Sequence, residues 1–239
     1  MYLPKEREAF HVHTWRCGHA GNEKDEEYIE QAIALGATRI VFTDHAPFPG
    51  NPFPYRMDME LLSDYVHTMN EMKQKYQSQI EVLKGLEIEY LPGYAAYYDK
   101  LRQSGDYDLL MLGQHFYQRK DGTFSYDEHD YTDDYVYLCK AMTEGIRTGF
   151  FDVLSHPDRV FVSCEHWEEP MAAAASEVIA AACEYNIPLE INYSSRQSGR
   201  AFRQEFWDMV PSDARTIQGL DAHCVRVLAE GYRAQAENI

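Results

Sequence analysis

Seven short runs of β-branched and aliphatic residues recur along the chain, at Ala9–His13, Arg39–Thr43, Ile80–Ile88, Tyr107–Leu112, Phe151–Ser155, Pro188–Asn192 and Thr216–Leu220. Longer segments with helical spacing separate them. DEEYIEQAIALG, residues 25–36, places apolar side chains at Ile29, Ala32, Ile33 and Leu35 and then stops at Gly36. DMELLSDYVHTMNEMKQKY, YAAYYDKLRQSG, DDYVYLCKAMTEGIRTG and PMAAAASEVIAAACEYN have the same spacing and ordinary stop signals. Strands that alternate with helices in this way predict parallel strands joined by crossover helices. The Pro-rich stretch APFPGNPFPYRMD directly follows the second strand and reads as a loop over that strand's end. FYQRKDGTFSYDEHDY reads as a small hairpin turned by Asp121-Gly122.

No linker, repeat or low-complexity tract interrupts the alternation, so residues 1–239 are expected to form a single domain. That length suits an α/β barrel, which reaches ~250 residues without dividing, and 45% hydrophobic residues supply a sizeable core. Charge narrows the function. With 39 acidic and 22 basic residues the net charge is −17, and basic runs are no longer than pairs such as Arg119-Lys120. Nucleic-acid binding needs stripes of Lys and Arg to displace counterions, so no nucleic-acid partner is expected. Part of the acidity could be functional, because carboxylates that surround metal ions count as bare charge in a sequence. Cys17, Cys139, Cys164, Cys183 and Cys224 are scattered, odd in number and without a C-x-x-C pair. They read as reduced thiols of a cytoplasmic protein. The N-terminus lacks an apolar signal region and no apolar run approaches the ~18 residues of a membrane span, so no membrane partner is expected.

The ends of the predicted strands carry the chemistry. The first delivers His11 and His13, with His19 just beyond; the second ends in Thr43-Asp44-His45; the third carries Glu87 and Glu89 in GLEIEY. His115 follows the fourth in GQHF, His156 and Asp158 follow the fifth in SHPD, and Asp221 and His223 follow the seventh in DAHC. Seven of the ten histidines thus lie at strand ends. In a β/α barrel the C-terminal strand ends converge on one face, so residues dispersed in sequence become neighbours. Imidazoles and carboxylates are the ligand set of Zn²⁺, Mn²⁺ or Fe²⁺, and there are too many for one four-coordinate ion. A carboxylate such as Glu87 can bridge two metals. Taken singly, H-x-H, DH and SHPD each have an ordinary structural reading, and only their joint placement favours a metal site. Glu89 shares a face with Glu87 and reads as a support behind the ligands. Asp44 reads as an orienter of an imidazole, because metal-bound histidines usually donate their second N–H to a carboxylate. His67, His129 and His166 fall on a helix, in an acidic run and in a loop, where solvent exposure suffices to explain them. Cys17, Cys164 and Cys224 read as small buried thiols.

The order H-x-H, a further His, D-H, G-x-E, His, H-P-D and D-x-H, one motif per strand, resembles the PHP superfamily, named for polymerases and histidinol phosphatases. TDHAPFPGNPFPYRMDMELLSDYV followed by GLEIEYLPGY is most similar to the histidinol-phosphate phosphatase branch, and the resemblance spans essentially the whole chain. It implies a distorted (βα)₇ TIM-like barrel with its metal site at the C-terminal strand ends. It further implies two or three divalent ions (Zn, Mn or Fe): His11, His13, Glu87 and Asp221 on one, His19, His45 and His223 on a second, and Glu87, His115 and His156 on a third. Arg159 and Arg196 match positions where phosphatase members place basic residues towards substrate. GQHF is shorter than the family's usual motif and NYSSR replaces its usual turn, but neither departure alters a ligand.

The implied activity is hydrolysis of a small phosphate monoester, foremost L-histidinol phosphate. Asp44, Asp158 or a metal-bound water would protonate the leaving alkoxide, and the loop with Phe48 and Tyr55 would face the imidazole and ammonium. Three other readings stay open from the residues. A C–N-cleaving amidohydrolase also begins with H-x-H but uses eight strands and a bridging lysine, for which only Lys84 is near. A nuclease of the same superfamily conflicts with the charge of −17. A non-catalytic metal-binding module would be expected to have lost ligands. The oligomeric state is left open.

Overall fold

The second strand reads Arg-Ile-Val-Phe-Thr-Asp-His, and all seven of its residues are buried. A strand covered on both faces belongs inside a parallel sheet, and its continuous apolar run is the sequence mark of that environment. The computed structural model, which describes residues 2–125, 134–199 and 201–236, contains seven strands: β1 (Glu8–Val12), β2 (Arg39–His45), β3 (Glu81–Ile88), β4 (Leu109–Leu112), β5 (Val153–Leu154), β6 (Leu189–Asn192) and β7 (Thr216–Gly219). They form one sheet in the order β1 to β7. Beyond β7 the chain returns to β1: Leu220 N donates to Phe10 O (2.8 Å), Ala222 N to His11 O (3.1 Å) and His13 N to Ala222 O (2.9 Å). Sequential parallel order with this return is the α/β barrel of seven strands that the sequence led us to expect.

The helices are α1 (Asp25–Ala34), α2 (Leu62–Tyr76), α3 (Ala95–Ser104), α4 (Asp134–Thr148), α5 (Glu169–Glu184), α6 (Tyr193–Ser198), α7 (Gln204–Asp208) and α8 (Val225–Ala236). Local rules set their ends. In α1 the backbone N–H of Lys24 donates to Glu27 Oε2 (2.6 Å), and the first turn is acidic, which complements the helix dipole. Pro170 sits in the first turn of α5, where a missing N–H costs nothing. The first five long helices match the predicted segments. The sequence reading had not included α8, although Leu228, Ala229 and Tyr232 form its buried face. α6 and α7 are too short to show a period.

The described residues divide into two compact units, one drawn from 2–87, 104–110 and 218–236, the other from 88–103, 111–125, 134–199 and 201–217. In the first, Phe10, Val12, Ile29, Ile40, Phe42 and Leu228 are fully buried. In the second, α4 packs on α5, and Phe161 meets Tyr135, Trp167 and Phe206 at ring separations of 5.6, 4.9 and 6.4 Å. The expected hairpin is present in the second unit as far as Ser125, with an antiparallel bridge between Gln118 and Phe124 and Gly122 at φ 89°. The rest of that segment, His129 included, lies outside the described residues. His67 is exposed on α2 beside Glu71, as expected. Among the described residues no helix is long and apolar enough to cross a membrane.

Gly85 in β3 is required by close packing. A Cβ there would lie 2.6 Å from Leu109 Cδ2 and 2.8 Å from the Leu109 carbonyl oxygen. The side chain can turn away, but the carbonyl is held in the sheet. Gly85→Ala is therefore expected to destabilise the fold by about 1–3 kcal/mol, the usual cost of overpacking, read as a lowered midpoint in urea unfolding.

Candidate metal centre

The first strand reaches its two histidines through an irregularity. His11 has a left-handed φ of 69°, and the register with β2 shifts between Phe10 and Val12. An extra residue of this kind re-aims a side chain at a sheet rim. His11 and His13 are fully buried, with their Nε2 atoms 2.9 Å apart. Glu87 Oε2, from the end of β3, stands 3.4 Å from each of them, and Asp221 Oδ1 stands 3.7 and 3.5 Å away. A tetrahedral ion with bonds of about 2.1 Å needs donors about 3.4 Å apart, and each of the two imidazoles stands near that distance from both carboxylates. The chemistry agrees with the spacing. Two nearly inaccessible carboxylates cannot remain charged without a compensating cation. Burial, and then His223 and His11, hold the pKa of His13 well below the ordinary imidazole value, which keeps it the neutral ligand form.

A second group of imidazoles adjoins the first within the same unit. The rings of His19 lie 5.1 Å from His45 and 4.6 Å from His223, and His45 Nδ1 lies 3.1 Å from Glu87 Oε2. His19 Nδ1 meets Cys17 O at 3.1 Å and His223 Nδ1 meets Asp221 O at 3.2 Å, contacts that fix each ring and leave its Nε2 for a ligand. His223 Nε2 and His13 Nδ1 are buried without a hydrogen-bond partner. Cys17 lies near this group, but burial pushes its thiol up to about 12, so it stays protonated.

His19 reaches its place through a single-turn 3₁₀ helix, Trp15–Cys17, which ends at Gly18 with φ 78°. Thr14 anchors that turn. Its N–H donates to Asp44 Oδ1 and its hydroxyl to Asp44 Oδ2, both at 2.6 Å. Buried Arg16 pairs with Asp25 at 2.9 Å behind it. Asp44 was expected to orient an imidazole; instead Thr14 takes both of its oxygens, so Asp44 positions the loop that carries His19. In the Pro-rich loop, Phe48 is buried against Phe53 (5.2 Å), while exposed Tyr55 stands edge-on to His19 at 6.0 Å. Of the two aromatic residues expected to face substrate, Phe48 is packed away from solvent and Tyr55 is exposed.

The second unit carries the remaining candidates. The rings of His115 and His156 are 5.0 Å apart. Buried Glu89 meets His115 Nδ1 at 2.8 Å, so it is placed to orient that imidazole. Arg159 and His115 line one cavity of about 290 Å³, walled by Phe116, Leu138, Val160 and Val162. Asp158 is fully buried, and its Oδ2 accepts from Arg203 N and Trp207 Nε1, both at 2.9 Å, while Oδ1 has no partner. Arg196 is exposed on α6, with its guanidinium 4.7 Å from the Phe202 ring. Two supporting residues escaped the sequence reading, Thr14 and Glu190. Glu190 left a signal: a carboxylate between Leu189 and Ile191 in a run that reads as a buried parallel strand.

Among the described residues seven non-glycine positions have positive φ, and three are His11 (69°), His156 (26°) and Asp221 (52°). Such conformations persist only where surroundings impose them, and they gather at functional sites.

The PHP domain family matches residues 9–194. A probable histidinol-phosphatase of Deinococcus radiodurans is 28% identical over 229 residues, covering 79% of this chain and 86% of that protein. The histidinol-phosphatase of Bacillus subtilis is 33% identical over 135 residues, 51% of this chain and 49% of that one. In structure, histidinol phosphate phosphatase from Lactococcus lactis, solved with zinc, L-histidinol and phosphate, superposes with a TM-score of 0.72 over 98% of this chain and 93% of its own, at 16% identity. That likeness carries the fold.

Thr14→Val keeps the shape of the side chain and removes its hydroxyl, leaving buried Asp44 Oδ2 short of a donor. A stability loss of about 1–3 kcal/mol is expected in chemical denaturation; a loss below a few tenths would show that the Thr14 clamp is not holding the turn.

Proposed function

The chain belongs to the PHP domain family, and from that premise we propose that it is a metal-dependent phosphoric monoester hydrolase that converts L-histidinol phosphate and water to L-histidinol and phosphate. The observation that carries this reading is the set of four buried donors from His11, His13, Glu87 and Asp221, in which the two imidazole nitrogens stand 2.9 Å from each other and 3.4–3.7 Å from each carboxylate. The curated relatives named for this activity support the substrate. Residues 1–239 act as one metallohydrolase domain.

Two or three divalent ions (Zn, Mn or Fe) fit the donors. His11, His13, Glu87 and Asp221 hold one, and His19, His45 and His223 hold a second. His115 and His156 form a further ligand pair. When bound, such ions supply hydroxide near neutral pH and neutralise charge on phosphoryl oxygens. The protein groups have separate tasks. Glu87 turns one oxygen towards His11, His13 and His45 and would be a ligand to the ions held there. Arg159 donates its N–H groups to the phosphoryl oxygens in the cavity it shares with His115. Arg196, steadied by Phe202, supplies a second cation. Asp158 offers its unpartnered Oδ1 for proton delivery to the leaving alkoxide. Tyr55 presents an aromatic face to the imidazole or ammonium of the substrate. An amidohydrolase reading is disfavoured by the strand count and by Lys84, which donates to Asn70 instead of standing among the ligands.

Purified protein loaded with Mn²⁺ or Zn²⁺ is expected to release phosphate from histidinol phosphate in preference to a panel of other monoesters, and EDTA should abolish the release. His13→Ala should lower kcat/KM by about 10³-fold or more, since it removes a ligand whose second-layer partners alone are worth 10–100-fold; unchanged activity would refute the metal assignment. Equal, weak activity on every ester would leave a phosphoesterase of broad specificity. Arg159→Ala should raise KM about 10- to 100-fold, the worth of a lost charge-assisted hydrogen bond, and a steady-state titration with histidinol phosphate reads it directly.

A further inference from the structure

Strand β6 brings no histidine to the strand ends, yet it carries a fully buried carboxylate, Glu190. One oxygen of it, Oε2, accepts three hydrogen bonds: from Ser155 Oγ (3.1 Å), from the backbone N–H of His156 (2.9 Å) and from Asn192 Nδ2 (3.1 Å). Two of these donors lie in the turn that leaves β5, and the third closes β6 itself. An acid inside a parallel strand costs burial energy that an apolar residue would avoid, so its presence calls for a task that only an acceptor can perform.

The turn shows what the task is. His156 has φ 26°, at the margin of the left-handed region that a β-substituted residue normally avoids. Its N–H is held by Glu190, and its carbonyl accepts from Arg159 N at 3.0 Å. Released from Glu190, the peptide could relax towards ordinary φ and swing the imidazole away from His115. The same carboxylate reaches further through Asn192, whose Oδ1 accepts from Ser195 N (2.8 Å) and caps α6, the helix of Arg196. One buried oxygen thus ties together the turn of His156 and Arg159 and the start of the Arg196 helix.

We propose that Glu190 is a positioning residue for the metal site, acting through the backbone of His156. The proposal rests on the reading of His156 as a ligand and goes beyond it, because Glu190 acts on that ligand through a hydrogen bond to its backbone. Its role is to keep a strained ligand in register, and removing it should loosen the metal while the strands remain paired.

The experiment is a double-mutant cycle on the metal-loaded enzyme with Glu190→Gln, His156→Ala and the double variant. Metal content after gel filtration, Mn²⁺ affinity and kcat are the readouts, with circular dichroism as the check on folding. Glu190→Gln is expected to weaken Mn²⁺ binding about 10- to 100-fold, as losses of outer partners of ligands do, and His156→Ala more. In Mn²⁺ affinity the double variant should be no worse than His156→Ala alone, since no imidazole is left there for Glu190 to position. Additive losses of Mn²⁺ affinity would overturn the proposal, because a purely structural carboxylate weakens the site whether or not the imidazole is present. Normal metal binding by Glu190→Gln beside a deficient His156→Ala would overturn it while leaving the ligand assignment standing. If His156→Ala keeps its metal, the ligand assignment fails and the proposal with it. Should Glu190→Gln not fold, Glu190→Asp decides the matter: it keeps the charge but draws the oxygen back by one methylene, and wild-type affinity in it would equally overturn the proposal.

Discussion

Glu87 Oε2 lies 3.4 Å from His11 and His13 and 3.1 Å from His45, in a place with almost no access to water. An anionic oxygen at that depth, with Asp221 close by, is tolerable only beside positive charge. Burial holds His13 in its neutral form, so that imidazole does not provide it. A divalent ion held at these strand ends, as proposed above, would provide it. The surplus of 17 negative charges in the sequence is partly an account of this demand.

Keeping so many donors at one end of a sheet has a local cost in backbone conformation. His11, Asp221 and His156 adopt left-handed φ values that open β-strands do not supply. Each is held by neighbours. His11 O and Ala222 N bond across the return from β7 to β1, and His156 N bonds to Glu190. Thr14, Glu89 and Glu190 hold, respectively, a loop, a ring and a peptide group. The binding groups are distributed over many strands, so precision comes from these local restraints and not from one rigid element.

Much of the fold was legible. Parallel strands are buried on both faces, so β1, β2 and β3 are built on short apolar runs, Ala9-Phe10, Ile40–Phe42 and Val82-Leu83, and the turn residues that follow them fix where each ends. The ladder of β5 is shorter than its apolar run, Val153–Leu154 against the expected Phe151–Ser155, because pairing depends on neighbours as well as on composition. The helix α8 had a readable face in Leu228, Ala229 and Tyr232, but short apolar content in a polar segment is easily passed over. The strand-end histidines were legible as a set because the fold class converts separate motifs into one place.

By itself the sequence determined the alternation of strands and helices, and the residue types, imidazole and carboxylate, that wait at the strand ends. Those follow from periodicity and from ligand chemistry, which are local properties. Only the tertiary structure decided the pairings. Asp44 serves Thr14 instead of an imidazole, Glu89 takes His115, Phe48 is buried while Tyr55 faces His19, and Glu190 holds the turn of His156. A hydrogen bond depends on register, bulges and turn geometry to within about an ångström, and residues far apart in the chain acquire that precision only when the strands are side by side.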